Sequence, residues 1–118
     1  MNPRGELLLG IKVENKRALA NAESTMKVPG VSFAEWGLGD MGWSLGYSNA
    51  PNLPFPEEMQ AARTRVVDIC KDSGVFFKED LVGEKNIVSM IEDGIMMTTL
   101  RDDGAAARVG RTYTRLTS

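Results

Sequence analysis

Residues 29–46 read PGVSFAEWGLGDMGWSLG, an apolar segment that runs directly into a stretch rich in glycine. The opening Pro-Gly pair is typical of a turn, and the letters that follow predict a β-strand over residues 31–38. Residues 39–46 contain three glycines, and we interpret them as a loop. Because glycines after a strand let backbone N–H groups approach a ligand closely, this loop is a candidate binding segment.

Strand and helix patterns alternate on both sides of this stretch. Residues 7–14 read LLLGIKVE, which is typical of a buried strand, and residues 15–27 carry apolar side chains at helical spacing. Further along the chain we predict a helix over 57–72, a strand over 75–77, a helix over 83–93, a strand over 95–100 and a helix over 104–116. This alternation indicates right-handed βαβ units and a parallel sheet in the α/β class.

Composition narrows the class of protein. The chain has 118 residues, of which 42% are hydrophobic and 25% charged, so we expect one globular domain over residues 1–118. The formal net charge of −2 does not favour a nucleic-acid partner. No apolar run is long enough to predict a membrane helix, and the start does not resemble a signal peptide. With the single cysteine Cys70, which suits a reducing compartment, these features predict a cytoplasmic protein.

The sequence contains no histidine, which excludes Ser-His-Asp and Cys-His catalysis and histidine-ligated zinc. Any metal would be a hard cation held by carboxylates. Glu14 ends the first predicted strand, and Asp40 follows the second. Since parallel strands end at the same edge of a sheet, these two side chains could share one divalent cation. The alternative is that Glu14 is a solvated acid at a helix start and Asp40 a capping or turn residue.

Residues 29–46 resemble the hallmark of the HpcH/HpaI aldolase/citrate lyase family, commonly written PGVDGLFIGPADLSASLG. Residues 11–31, IKVENKRALANAESTMKVPGV, resemble the strand and helix that precede this hallmark. The resemblance implies the C-terminal half of a TIM (β/α)8 barrel, with about four βα units that correspond to family strands 5–8. Strands would be parallel and helices would lie outside.

The resemblance also implies a function. Family members are metal-dependent class II aldolases or lyases that cleave or form carbon–carbon bonds through a pyruvate enolate. Mg²⁺, Mn²⁺ or Co²⁺ would be bound by Glu14 and Asp40. The backbone amides of Gly39 and Asp40 would hold the carboxylate of a small 2-oxo acid such as pyruvate or oxaloacetate.

The chain departs from the family in two respects. Lys12 stands where many members have a substrate-contacting glutamine; its ammonium could pair with a substrate carboxylate but would oppose a metal electrostatically, and the plainer interpretation is a packed stem with a solvated amine. The family's catalytic arginine and His-Asp pair belong to the first barrel half and have no counterpart here. Arg101 is a conceivable substitute, with a surface residue as the plainer interpretation, so Lys12 and Arg101 are weak catalytic candidates.

A half-barrel would leave two sheet edges and an inner face uncovered. We therefore expect a homo-oligomer, a complementary N-terminal half, or a longer chain of which this is a fragment. A second hypothesis is a catalytically incomplete half-barrel that acts as a binding or structural subunit. A third is a small flavodoxin-like domain with an acidic metal cluster, which fits less well because Glu14 and Asp40 follow successive strands.

Overall fold

A computed structural model describes residues 4, 7–48, 53–80, 82–99 and 104–117. Its centre is one four-stranded sheet in the order β1-β2-β3-β4. The strands are β1 (Leu9–Val13), β2 (Val31–Trp36), β3 (Phe76–Lys78) and β4 (Ile95–Met97). Each neighbouring pair is parallel, so the predicted parallel sheet is confirmed.

Within the described residues, six helices connect and cover the strands. They are α1 (Lys16–Ala20), α2 (Ala22–Met26), α3 (Leu38–Ser44), α4 (Glu57–Ser73), α5 (Ile87–Asp93) and α6 (Ala105–Thr117). The helix predicted over 15–27 is present as two short helices that meet at Asn21. Gly74 ends α4 in the left-handed conformation at φ 66°, which glycine adopts without strain. Among the described helices, none is long and apolar enough to cross a membrane.

The prediction of a loop over residues 39–46 is wrong, because α3 occupies most of this segment. Its glycines disfavour a helix by about 1 kcal/mol each relative to alanine. The side chain of Met41 is fully buried in the core, however, and Gly42 is buried beside it. Burial of this face outweighs the low intrinsic propensity, as is usual for short helices in folded proteins.

The strand predicted over 95–100 is shorter than expected, since β4 ends at Met97. Beyond this point the chain is held by a side chain: the Thr98 hydroxyl donates a hydrogen bond to the carbonyl of Glu79 at 2.6 Å. The helix predicted over 83–93 begins only at Ile87. Residues 83–86 form a turn in which the Asn86 side chain accepts a hydrogen bond from the Gly83 amide.

One face of the sheet is covered by helices. Ala34 of β2 and Phe77 of β3 are register partners and are both buried, and α4 packs on these two strands. Cys70 of α4 lies in the same core, where burial raises the pKa of its thiol to about 11. Cys70 therefore packs as a small apolar residue of this core.

The opposite face carries the alternate residues of the strands. Phe33 and Phe76 are register partners there, and Gly10 of β1 pairs with Phe33. A side chain at Gly10 would overlap the Phe33 ring, so the glycine provides the space in which this ring lies. This second face, with unpaired outer edges on β1 and β4 among the described residues, is the arrangement of an open half-barrel.

A buried ion pair fixes α4 to the sheet. The Arg63 side chain binds the carboxylate of Glu79, the residue after β3, with Nη2 2.7 Å from Oε2 and Nε 3.0 Å from both oxygens. The guanidinium also lies 5.7 Å from the centre of the Phe77 ring. Only 2% of the Glu79 side chain is exposed. We call Arg63 and Glu79 the buried pair.

Candidate site at the carboxyl ends of the strands

Three charged side chains meet where β1 and β2 end. The ammonium of Lys12 lies 3.1 Å from Oε2 of Glu14 and 3.8 Å from Oδ2 of Asp40. We call these three residues the strand-end cluster. All three are partly exposed, with 46%, 35% and 61% of the respective side chains accessible. Both predicted metal-binding carboxylates therefore reach one common cation position, which Lys12 occupies.

Backbone geometry explains why Glu14 and Asp40 converge. The amide of Gly37 donates a hydrogen bond to the carbonyl of Val13 at 3.0 Å and thereby holds the end of β2 against the end of β1. A Cβ on Gly37 would overlap the Cβ of Glu14 and lie 3.0 Å from Cε of Lys12. Asp40 lies in the first turn of α3, where a negative charge is favourable. The glycine after β2 thus makes room for the cluster.

The electrostatics of Lys12 follow from this geometry. The adjacent Glu14 carboxylate raises the pKa of Lys12 above its ordinary value of 10.5, against a lowering effect of partial burial. The carboxylates of Glu35 and Asp40 raise this pKa further. Lys12 is therefore a protonated cation at neutral pH and neutralises part of the negative charge at this edge.

A second lysine lies two strands away on the same face. The ammonium of Lys78 is 2.9 Å from Oε2 of Glu35 and 2.8 Å from Oδ1 of Asp80. Burial would lower the pKa of Lys78, but the hydrogen bonds that its ammonium donates to Asp80 and Glu35 outweigh burial and raise this pKa. For Asp80, burial acts to raise the pKa and the Lys78 ammonium outweighs it, so the pKa is lowered.

Sequence reasoning missed Glu35, Lys78 and Asp80. A signal for Glu35 is present, since it is the one charged residue in the segment VSFAEWGL. In the sheet, Glu35 is the register partner of Lys12 on one side and of Lys78 on the other. Charges therefore alternate across three neighbouring strands, which favours their pairing. This pattern depends on the strand register, which the sequence alone does not supply.

The charges at this edge do not balance. The carboxylates are those of Glu14, Asp40, Glu35 and Asp80, and the ammonium groups are those of Lys12 and Lys78. Four negative charges thus share two positive ones. Within the described residues, this set is two positive charges short of neutrality.

A cleft of about 200 Å³ opens beside these charges. Its lining residues are Lys12, Glu35, Trp36, Gly37, Leu38, Gly39, Glu79 and Asp80. The predicted amide donor Gly39 therefore lies in the wall, and Asp40 follows it directly. In the first turn of a helix the backbone N–H groups have no partner within the helix, so those of Gly39 and Asp40 are available to an anion.

Trp36 also borders this cleft, but its side chain is buried on the helix-covered side of β2 together with Ala34. In the described part of the chain its indole Nε1 has no hydrogen-bond partner, which costs about 1–3 kcal/mol. Trp43 of α3 is 66% exposed.

The predicted site residues thus have different outcomes. Lys12, Glu14 and Asp40 are brought together, and Gly39 lines the adjacent cleft. Arg101 lies outside the described residues. The roles of these residues in binding metal or substrate stay predictions.

The carboxylates of Glu14 and Asp40 can be compared with the ligands that divalent cations prefer. Mg²⁺ and Mn²⁺ prefer oxygen ligands and commonly use one or two carboxylates together with water and substrate oxygens. Glu14 and Asp40 supply two such carboxylates at one cation position, and the six described charged side chains named above carry a net charge of −2. No group of three or more acidic or cysteine side chains in the described residues forms a complete protein cage. The residues therefore fit an open site with two protein ligands, provided that Lys12 moves aside.

Solved structures with the same fold provide the comparison. An HpcH/HpaI aldolase/citrate lyase family protein from Burkholderia cenocepacia matches with a TM-score of 0.71 and 20% identity over 98% of this chain and 44% of its own. An HpcH/HpaI aldolase from Desulfitobacterium hafniense matches with a TM-score of 0.70 and 18% identity, over 95% of this chain and 42% of its own. The citrate lyase beta subunit from M. tuberculosis, complexed with oxaloacetate and magnesium, matches with a TM-score of 0.69 and 14% identity. This match covers 93% of this chain and 54% of the subunit.

These matches define the class of fold. The chain spans about half the length of the structures that it matches, and it has the architecture of half a TIM barrel. The fold is that of HpcH/HpaI aldolase/citrate lyase family members, which confirms the resemblance found in residues 11–46 at the level of structure. No protein-family model matches the chain, and comparison with curated proteins finds no match.

Proposed function

We propose that the chain carries the 2-oxo acid site of a carbon–carbon lyase and holds a divalent cation, Mg²⁺, Mn²⁺ or Co²⁺, on Glu14 and Asp40. The observation that carries this proposal is the convergence of both carboxylates on one cation position beside the cleft at the strand ends. In α/β barrels this edge is where binding residues gather. The magnesium and oxaloacetate of the M. tuberculosis neighbour support the same ligand chemistry.

Each protein group has a specific part in this proposal. Glu14 and Asp40 would hold the cation, which would supply a Lewis acid to the 2-oxo group and so stabilise the negative charge that develops at C3 when the bond from C3 to the departing carbon breaks. The N–H groups of Gly39 and Asp40 bind the substrate carboxylate. Lys12 contributes a second positive charge at the wall of the cleft. The chemical class is therefore an aldehyde-lyase or related lyase that acts on pyruvate- or oxaloacetate-like molecules.

The proposal is tested with matched acid-to-amide variants. Glu14→Gln and Asp40→Asn remove a carboxylate from the site, whereas Glu23→Gln removes one from the exposed Glu23–Lys27 pair on α2. Mn²⁺ binding is measured by calorimetry. Release of pyruvate from oxaloacetate is followed with Mn²⁺, with chelator, and with Mn²⁺ in the absence of protein, because free metal ions give a background rate.

We expect saturable Mn²⁺ binding to the unchanged chain and to Glu23→Gln, and at least about a tenfold loss of affinity in the two site variants. Pyruvate release above the protein-free blank should follow the same pattern. Mn²⁺ binding without turnover would favour the catalytically incomplete half-barrel. Binding that is indifferent to Glu14 and Asp40 would refute the site.

We also propose that a second barrel half covers the inner face, either a second copy of the chain or a complementary N-terminal half. The exposed apolar residues beside the unpaired edges support this: Leu7, Leu8 and Leu9 at β1, and Met96 at β4. Light scattering would give twice the monomer mass for a closed homodimer. A monomer would leave the N-terminal half as the remaining partner. A cytoplasmic location stays a prediction.

A further inference from the structure

Lys12 occupies the position at which Glu14 and Asp40 converge, and it also lines the adjacent cleft. The Lys12 ammonium cannot share this position with a divalent cation, because two positive charges at such a short distance repel each other strongly. Its alkyl stem is flexible and 46% of the side chain is exposed, so the ammonium can leave without disturbing the core. A carboxylate that can receive the displaced ammonium lies nearby.

The receiving carboxylate lies in the wall of the cleft. Glu35 is the register partner of Lys12 on β2, and it lies in the cleft wall together with Gly39. An ammonium that turns from Glu14 toward Glu35 remains next to a carboxylate, which it shares with Lys78. It then also lies beside the cleft that Gly39 lines.

We infer that Lys12 is an exchangeable internal cation: it holds Glu14 and Asp40 together while no metal is bound, competes with the divalent cation for them, and once displaced pairs with the 2-oxo acid carboxylate. This inference rests on the proposed function for its substrate half only. The competition with metal requires no turnover. Lys12 thus makes metal binding weaker and metal-dependent substrate binding stronger.

The two parts of this inference, competition with metal and pairing with substrate, predict opposite effects of one substitution on the two affinities. Lys12→Met removes the ammonium and keeps an apolar stem, and Lys12→Gln serves as a second variant. The matched control is Lys27→Met, which removes an exposed ammonium at the end of α2, away from the strand-end cluster. Mn²⁺ affinity is measured by calorimetry without substrate. Pyruvate affinity is then measured at saturating Mn²⁺.

We expect Lys12→Met to bind Mn²⁺ about tenfold more tightly than the unchanged chain and pyruvate about tenfold more weakly, with Lys27→Met unchanged in both. Equal Mn²⁺ affinities in the unchanged chain and both Lys12 variants would overturn the competition. Tighter Mn²⁺ binding with unchanged pyruvate affinity would overturn the substrate half alone. Absence of Mn²⁺ binding in every variant would overturn the proposed metal site itself, which separates that failure from failure of the exchange.

The tighter Mn²⁺ binding expected for Lys12→Met must also take place at Glu14 and Asp40. Lys12→Met combined with Glu14→Gln should lose the gain in Mn²⁺ affinity, because the cation would then have one carboxylate ligand instead of two. If the gain persists in this double variant, the metal binds elsewhere, and the inference is refuted. Circular dichroism of each variant confirms that these differences are measured on folded protein.

Discussion

The buried pair and the strand-end cluster use the same kinds of side chain in opposite ways. Glu79 points to the helix-covered face and accepts three hydrogen bonds from Arg63, whereas its neighbour Lys78 points to the open face. Lys12, Glu14 and Asp40 lie where β1 and β2 end, and their contacts of 3.1 and 3.8 Å are partly solvated. Alternation along β3 therefore puts the carboxylate that holds α4 on the covered face and Lys78 on the open face. The strand-end cluster is more exposed, which the proposed exchange of cations requires.

The largest expected effect is on the buried pair. Glu79→Gln leaves the Arg63 guanidinium without its carboxylate in a largely buried position, so we expect a loss of about 3–5 kcal/mol in the free energy of unfolding. Urea unfolding measures it. Asp93→Asn is the control, because Asp93 contacts Arg63 at 3.3 Å but is 55% exposed and should cost less than about 1 kcal/mol.

Equal losses in Glu79→Gln and Asp93→Asn would contradict the assignment of Arg63 and Glu79 as the structural pair. A small loss in both would show that Arg63 finds other partners or reaches solvent. The second result would remove the distinction between the two charge groups, since the buried pair would then be as exchangeable as the exposed cluster.

A smaller effect is expected where the backbone supports the strand-end cluster. Gly37→Ala places a Cβ against Glu14 and Lys12, so one strand end must shift, at a cost of about 1–3 kcal/mol. Gly39→Ala is the matched control, because no atom lies within 4 Å of its added Cβ. Urea unfolding gives the stability difference, and Mn²⁺ calorimetry shows whether the cluster is disturbed.

We expect Gly37→Ala to lose both stability and Mn²⁺ affinity, and Gly39→Ala to keep both. The Gly39 amide is retained in alanine, so substrate binding through the backbone should also persist. If Gly37→Ala is as stable as Gly39→Ala and binds Mn²⁺ equally well, the close packing of Gly37 against Glu14 does not position the cluster.

Part of this arrangement can be predicted from the sequence. The β1 and β2 segments are apolar runs with clear ends, so their pattern alone places Glu14 and Asp40 at one edge of a parallel sheet. The structure places these two carboxylates 3.1 and 3.8 Å from the Lys12 ammonium. Local pattern is sufficient here because each residue lies next to the element that positions it.

The rest depends on contacts between distant segments. Arg63 and Glu79 are 16 residues apart, and nothing in either local pattern links them. The helix α3 forms because Met41 is buried by other parts of the chain, against the propensity of its glycines. The pairing of Lys78 with Glu35 spans 43 residues and follows only from the register of β2 and β3.

The smallest expected effect is the contribution of Lys12 to stability. Because this ion pair is exposed, Lys12→Met should cost less than about 1 kcal/mol at neutral pH. Glu14 raises the folded-state pKa of Lys12 above its ordinary value of 10.5. A raised pKa means that the folded state binds the proton more tightly, so the contribution is present below pH 10.5 and is lost as the pH rises through the folded-state value.

Urea unfolding of the unchanged chain and of Lys12→Met at several pH values between 7 and about 11.5 measures this contribution as a difference, in which the titration of other groups cancels. The difference should be constant near neutral pH and should shrink toward zero in the alkaline range. Glu14→Gln should reduce this pH dependence, because Glu14 is the largest cause of the raised pKa of Lys12, with Glu35 and Asp40 adding to it. If the difference does not shrink at all as the pH is raised above 10.5, Lys12 stabilises the fold through its stem and not through its charge. The contrast between Lys12 and Arg63 would then lie in packing.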